Sequence, residues 1–175
     1  EYFLIVGRFV PENNYETMLC EFMRAKTGKK LAIISNVEKN AFYERLREAT
    51  GFEGDSRIVF CGPVYDEQLL KKIRENACAY LHGHEVGGTN PSLLEALGST
   101  DVNLLLDVGF NREVGKTAAL YWTKRPGSLA GLIDTASVLK KEERERLSSQ
   151  AKQRILTAYS HEKIAKAYEE LFRWI

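Results

Sequence analysis

Five short apolar runs set the pattern of this chain: Tyr2–Val6, Leu31–Ile34, Ile58–Cys61, Ala77–Leu81 and Val102–Leu106. The stretches between them carry helical periodicity. Tyr15, Met18, Leu19, Phe22 and Met23 fall on one helical face, with Asn13 or Asn14 as the expected cap. Phe42, Leu46 and Ala49 mark a second helix that Gly51 stops. Asp66 caps a third, carrying Leu69, Leu70, Ile73 and Ala77. Strand and helix alternating at such short spacing, with strands that are nearly continuous apolar runs, fit a parallel sheet covered on both faces. The expected fold is α/β, a doubly wound parallel sheet of Rossmann-like type.

Past the fifth strand, Val108–Val114 reads as a loop and Leu120–Trp122 as a short sixth strand. Extra C-terminal helices follow. Leu129, Leu132, Ile133 and Ala136 make one stripe, and Leu147, Ala151, Ile155 and Tyr159 another. Ser160 caps a last helix with Ile164, Tyr168, Leu171, Phe172 and Ile175 expected inward. The charge run Lys140–Arg146 reads as a solvated helix face.

A chain of 175 residues is long enough for one domain with a real core. The net charge of +1 gives no bulk attraction for nucleic acid or an anionic membrane. Cys20, Cys61 and Cys78 are odd in number and lack paired spacing, so they are expected to be buried free thiols in a cytoplasmic, reducing compartment. No apolar run approaches a membrane span, and no signal peptide is recognisable. Glu1 takes the place of an initiator Met and a core strand starts at the second residue, so residues 1–175 are expected to be one excised domain with its upstream partner missing.

The chemistry is expected at the loop between the fourth strand and the next helix, His82-Gly83-His84-Glu85-Val86-Gly87-Gly88-Thr89-Asn90-Pro91-Ser92-Leu93-Leu94-Glu95. Open α/β sheets bind ligands at the carboxyl ends of their strands. Gly87 and Gly88 let the backbone approach a bulky group, and Pro91 suits the first helical position. Free N–H groups of Ser92, Leu93 and Leu94 are expected to face a phosphate from the helix N-terminus. Glu95, one turn on, is within reach of a sugar hydroxyl. A plain glycine-rich connector is the competing reading.

Arg8 ends the first strand on the same edge, where a guanidinium can clamp a diphosphate; the alternative is a surface arginine. His84 and Glu85 are candidates for sugar contacts or cleft lining. A metal on His82, His84 and Glu85 is not expected, because Gly83 breaks the strand and three ligands must converge. His82 is equally read as a structural histidine. Asp107, Asn111, Arg112 and Glu113 either reach the rim of the site or form a local salt-bridged turn. Gly62 and Val64 either present backbone groups to a base or make a ligand-free turn. G-x-G-x-x-G after the first strand, G-x-x-x-x-G-K-[ST] and G-x-S-x-G are all missing, against a dinucleotide oxidoreductase, a P-loop NTPase and an α/β-hydrolase.

Val6-Gly7-Arg8-Phe9, Val59-Phe60-Cys61-Gly62-Pro63-Val64 with Asp66, and Gly88-Thr89-Asn90-Pro91-Ser92-Leu93-Leu94-Glu95-Ala96-Leu97 together resemble the C-terminal, donor-binding domain of GT-B glycosyltransferases of family 4. The likeness runs over essentially the whole chain. The string from His84 to Ala96, with Asp107–Val114, is most similar to bacterial rhamnosyltransferases of capsule and cell-wall polysaccharide assembly. The resemblance implies a retaining, metal-independent hexosyl transfer from a nucleotide diphosphate sugar, dTDP-rhamnose favoured over UDP- or GDP-sugars, with no cofactor. It implies Arg8 on the donor diphosphate and Gly88–Leu93 as a backbone cradle, with Glu95 on the nucleotide ribose and Gly62 and Val64 beside the base. It further implies a full-length enzyme in the cytoplasm, peripheral to the membrane through a lipid-linked acceptor. Its acceptor site would lie on the absent N-terminal domain, so this chain alone is expected to transfer nothing.

Two positions depart from the family pattern. Asn13 stands where a second, lysine clamp is usual, and Gly87 stands where the first of two paired glutamates is usual. His84 or Glu85 are the candidates to replace that glutamate. These departures keep open a non-catalytic nucleotide-binding module. A receiver-like or protein-binding α/β domain is the other rival, though a receiver wants acidic residues where Gly7-Arg8 stand.

Overall fold

The computed structural model of the chain describes residues 1–173. All six expected strands form: β1 (Tyr2–Val6), β2 (Lys30–Ile34), β3 (Ile58–Phe60), β4 (Ala79–His82), β5 (Asn103–Leu106) and β6 (Leu120–Trp122). They build one parallel sheet in the order β3-β2-β1-β4-β5-β6. The chain reverses its direction of travel across the sheet between β1 and β4, and a crevice opens there above the strand ends.

Side chains of β1 alternate between the two faces. Phe3 and Ile5 enter the larger core with Phe22, Leu31 and Leu104, whereas Leu4 packs with Ile34, Tyr80 and Ala96. Helices α1 (Tyr15–Arg24), α2 (Ala41–Thr50) and α6 (Ser128–Ser137) cover the first face. The second carries α3 (Glu67–Glu75), α4 (Pro91–Ser99) and α7 (Lys141–Ala158). Gly51 ends α2 at φ 66°, and the Asp66 carboxylate accepts from Leu69 N–H at 2.9 Å. The N-terminus of α6 has no cap of its own. Glu21 of α1 reaches it instead, accepting from the N–H groups of Gly127, Leu129 and Ala130 at 2.9, 3.1 and 3.0 Å.

Several expectations are corrected. The segment read as the loop Val108–Val114 is a helix, α5 (Gly109–Gly115). Its one apolar pair, Phe110 and Val114, is too short a stripe to show periodicity, and it is held by burying Asn111 and Val114. Asn14 takes the N-cap position of α1 at φ 54°, but its side chain does not cap; it donates to the Gly83 carbonyl at 2.8 Å. Leu69, placed on the core face of α3, is half exposed. Of the thiols only Cys78 is buried; Cys20 is partly exposed and Cys61 exposed.

The last helix departs most. Helix α8 (His161–Phe172) forms and Ser160 caps it, yet Ile164, Tyr168, Leu171 and Phe172 are 43–67 % exposed instead of inward. No element among the described residues lies on that stripe in position to bury it. Ile175, also expected inward, lies outside the described residues. No described helix is long and apolar enough to cross a membrane.

Candidate functional site

Two loops form the crevice. The first runs from Gly7 to Asn14 after β1, and the second from Gly83 to Asn90 after β4. They are tied in three places. Asn14 donates to the Gly83 carbonyl, and Glu85 N–H donates to the Glu12 carbonyl at 3.1 Å. The Asn13 amide donates to the Arg8 carbonyl at 2.7 Å, and its oxygen lies 2.9 Å from His84 Nδ1. That oxygen can only accept, so Nδ1 of His84 donates, and in the neutral ring Nε2 can accept. Asn13 thus spends its amide joining the loops.

Gly83 makes the close approach possible. A Cβ there would fall well inside van der Waals contact of the Asn13 carbonyl oxygen and at 3.1 Å from the Met18 thioether. Gly83→Ala is expected to push the two loops apart and cost about 1–3 kcal/mol of stability. Urea unfolding measures this, and a change within about 0.5 kcal/mol would contradict the packing argument.

Between the loops lies a cavity of about 340 Å3. Arg8, Asn13, His84, Asn90, Pro91 and Ser92 line it, with Tyr80 and His82 at its floor. Arg8 is exposed, and no acidic side chain pairs with it among the described residues. On its far side a second hollow of about 480 Å3 is bounded by Ser35, Asn36, Pro63, Val64 and Tyr65. Gly62 makes the turn into that segment at φ 77°.

The floor is a buried polar cluster. Tyr80 Oη lies 3.1 Å from the Val6 carbonyl, 3.1 Å from Ser92 Oγ and 3.3 Å from His82 Nδ1. Ser92 Oγ donates to the Val6 carbonyl at 3.1 Å. Burial pushes the Tyr80 hydroxyl up to about 12. Burial first, and the neighbouring His84 second, pull His82 down to about 3, so it is neutral in the fold.

The helix N-terminus differs from expectation. Ser92 N–H is taken by the Asn90 side chain at 2.9 Å, and Leu93 and Leu94 N–H by the Asn90 carbonyl at 3.0 and 3.2 Å. Asn90 is a better cap than the sequence reading allowed, so these N–H groups are not free. The open donors are one turn earlier: the backbone N–H groups of Val86 to Asn90 have no partner among the described residues. Gly87, Gly88 and Thr89 sit on the exposed crown of this loop, outside the cavity lining, with Gly87 at φ 101°. The Leu93 side chain is fully buried in the core.

The carboxylates are both engaged. Glu85 pairs with Lys124, which follows β6, and this contact holds its carboxyl below the usual range. Glu95 Oε2 lies 2.6 Å from Nη2 of Arg74, a guanidinium that is 4 % exposed. His84 is better placed than Glu85 to serve the cavity. A side chain grown from Gly87 would start 4.0 Å from His84 Nε2.

Asp107 and Arg112 form a local pair, with Arg112 over the Tyr121 ring, and Glu113 pairs with Arg154. Asn111 alone of that group reaches the site, donating to the carbonyls of His84 and Leu106 at 3.1 and 3.0 Å. Among the described residues no three metal-ligating side chains converge.

Sequence reasoning passed over Arg74 and Lys124. The signal for Arg74 was present: it falls at helical spacing beside Leu70 and Ile73, on the apolar stripe of that helix. Lys124 follows the end of a parallel strand, the position that singled out Arg8.

The architecture and the crevice can be set beside known proteins. No protein-family model and no curated sequence matches the chain. Solved structures do. A glycosyltransferase from Rickettsia africae superposes with a TM-score of 0.84 at 13 % identity, over 98 % of this chain and 47 % of that one. Anabaena HepE, solved with UDP and glucose, gives 0.84 at 12 %, over 99 % and 48 %. The UDP-forming trehalose-phosphate synthase of Burkholderia vietnamiensis gives 0.76 at 16 %, over 91 % and 42 %. The fold is that of a GT-B glycosyltransferase domain. This chain spans less than half the length of each of these neighbours.

Proposed function

We propose that the chain is the donor-binding half of a retaining, metal-independent glycosyltransferase that uses a nucleotide diphosphate sugar. The observation that carries this reading is Arg8, on the lip of the crevice where the sheet reverses order and without an acidic partner among the described residues, beside the N–H groups of Val86–Asn90, which have no partner among those residues either. A diphosphate leaving group gathers negative charge as the glycosidic bond breaks. Arg8 and the N–H groups of Val86–Asn90 would stabilise that charge where it develops. His84 Nε2, beneath Gly87, would accept from a sugar hydroxyl in place of the usual first glutamate. Glu95 would take the ribose, and the hollow beside Val64 the base.

The neighbours solved with UDP or a UDP-sugar support a nucleotide-sugar donor. The resemblance to rhamnosyltransferases makes dTDP-rhamnose the favoured donor and polysaccharide assembly the favoured role. An N-terminal acceptor domain would supply the remainder of the enzyme, in the cytoplasm and against a membrane-bound lipid acceptor.

Calorimetry with dTDP, UDP and GDP tests this reading. One nucleotide is expected to bind saturably, and Arg8→Ala to weaken it about tenfold to a hundredfold, the worth of a charged hydrogen bond. Absence of binding by any of the three, with the companion domain joined, would overturn it. Binding without transfer in that joined protein would leave a nucleotide-binding module.

A further inference from the structure

Arg74 is an expensive residue to keep. Its guanidinium is almost wholly removed from water, and its Nε is buried with no partner among the described residues. A buried ion with an unmet donor lowers stability relative to an apolar side chain of the same volume. Its contacts converge on one place. Nη2 lies 2.6 Å from Glu95 Oε2 and 3.5 Å from Ser92 Oγ. Ser92 and Glu95 are three residues apart on one face of α4, and Ser92 Oγ sits on the cavity floor against the Val6 carbonyl. Glu95 Oε1 has no partner among the described residues, and the Glu95 side chain is 56 % exposed.

We infer that Arg74 is a positioning residue: it grips one carboxylate oxygen of Glu95 so that the other is presented, in a single rotamer, to the ribose hydroxyls of the donor nucleotide. The inference rests on the donor-binding reading above. A free glutamate on an exposed helix face samples several rotamers, and fixing it on binding costs conformational entropy. The buried guanidinium removes that cost in advance, and its planar fork holds direction better than an ammonium.

The test compares dTDP with dideoxy-TDP, and UDP with dideoxy-UDP, in the wild-type chain, Arg74→Met and Arg74→Lys. The wild type is expected to prefer the hydroxyl-bearing nucleotide by about tenfold. Arg74→Met should cut that preference to about threefold or less, while affinity for the dideoxy nucleotide stays within about twofold. Arg74→Lys should recover part of it. Equal weakening of both nucleotides in Arg74→Met would mean a merely structural role, and an unchanged preference would mean no role; either overturns the inference. Failure of the wild type to bind any nucleotide, with the companion domain joined, strikes the donor-binding reading itself. If neither variant folds, the side-chain N–H resonances of Arg74 in the wild type decide. They should shift with UDP or dTDP and stay in place with the dideoxy forms; equal shifts, or none, overturn the inference.

Discussion

Glu21→Ala is expected to lower the unfolding free energy by roughly 3–5 kcal/mol, a large share of what a domain of this size possesses. The carboxylate is 3 % exposed and receives three N–H groups at the start of α6. A helix N-terminus carries partial positive charge and unmet donors, so a buried carboxylate there is doubly favoured. Its removal leaves those donors dry and uncapped, because Leu129, Ala130 and Ile133 keep that end of α6 in the core. Glu21→Gln keeps the shape and one acceptor oxygen, and should lose about half as much. Urea unfolding of the three proteins measures the series. A loss below about 1 kcal/mol for Glu21→Ala would mean that water reaches the helix end and the long-range cap does little.

Acid should unfold the chain through His82. Its ordinary value of 6.5 is reduced to about 3 in the fold, chiefly by burial. Below pH 6.5 the unfolded chain therefore binds a proton that the folded chain refuses. Stability then rises with pH across this window and is lost as pH falls from 6.5 towards about 3. The slope from this one group is at most about 1.4 kcal/mol per pH unit, or roughly 5 kcal/mol in all. The residue is 4 % exposed, with the rings of Tyr80 and His84 at centroid distances of 5.8 and 6.2 Å. His82→Gln removes the titration and should flatten the acid limb of a stability-against-pH curve by that slope. An acid limb of the same steepness in the variant would assign the loss to carboxylates such as Glu85 instead, whose lowered values act in the same direction at lower pH.

The elements of this fold were readable because each is written locally. Continuous apolar runs and 3.6-residue periodicity are short-range consequences of burying both faces of a strand or one face of a helix, and among the described residues they located six strands and all but one α-helix. The crevice was readable too, since a parallel sheet brings every strand's carboxyl end to one edge, and so Arg8, His84 and Ser92 to one cavity. Side-chain partnership was not readable. The Asn90 side chain taking the Ser92 N–H depends on a rotamer, while the Asn90 backbone carbonyl takes the N–H groups of Leu93 and Leu94. Lys124 claims Glu85, and Arg74 claims Glu95, across gaps in sequence that no period spans.

Charge explains the difference. Apolar residues need only a dry face, and any correctly phased position supplies one. A buried Glu21 or Arg74 needs particular atoms at hydrogen-bond distance. The pattern of apolar residues therefore specified the sheet and the place of its crevice. Which ions meet there, and which donors stay open for a ligand, was decided when Lys124 met Glu85 and Arg74 met Glu95 in the folded chain.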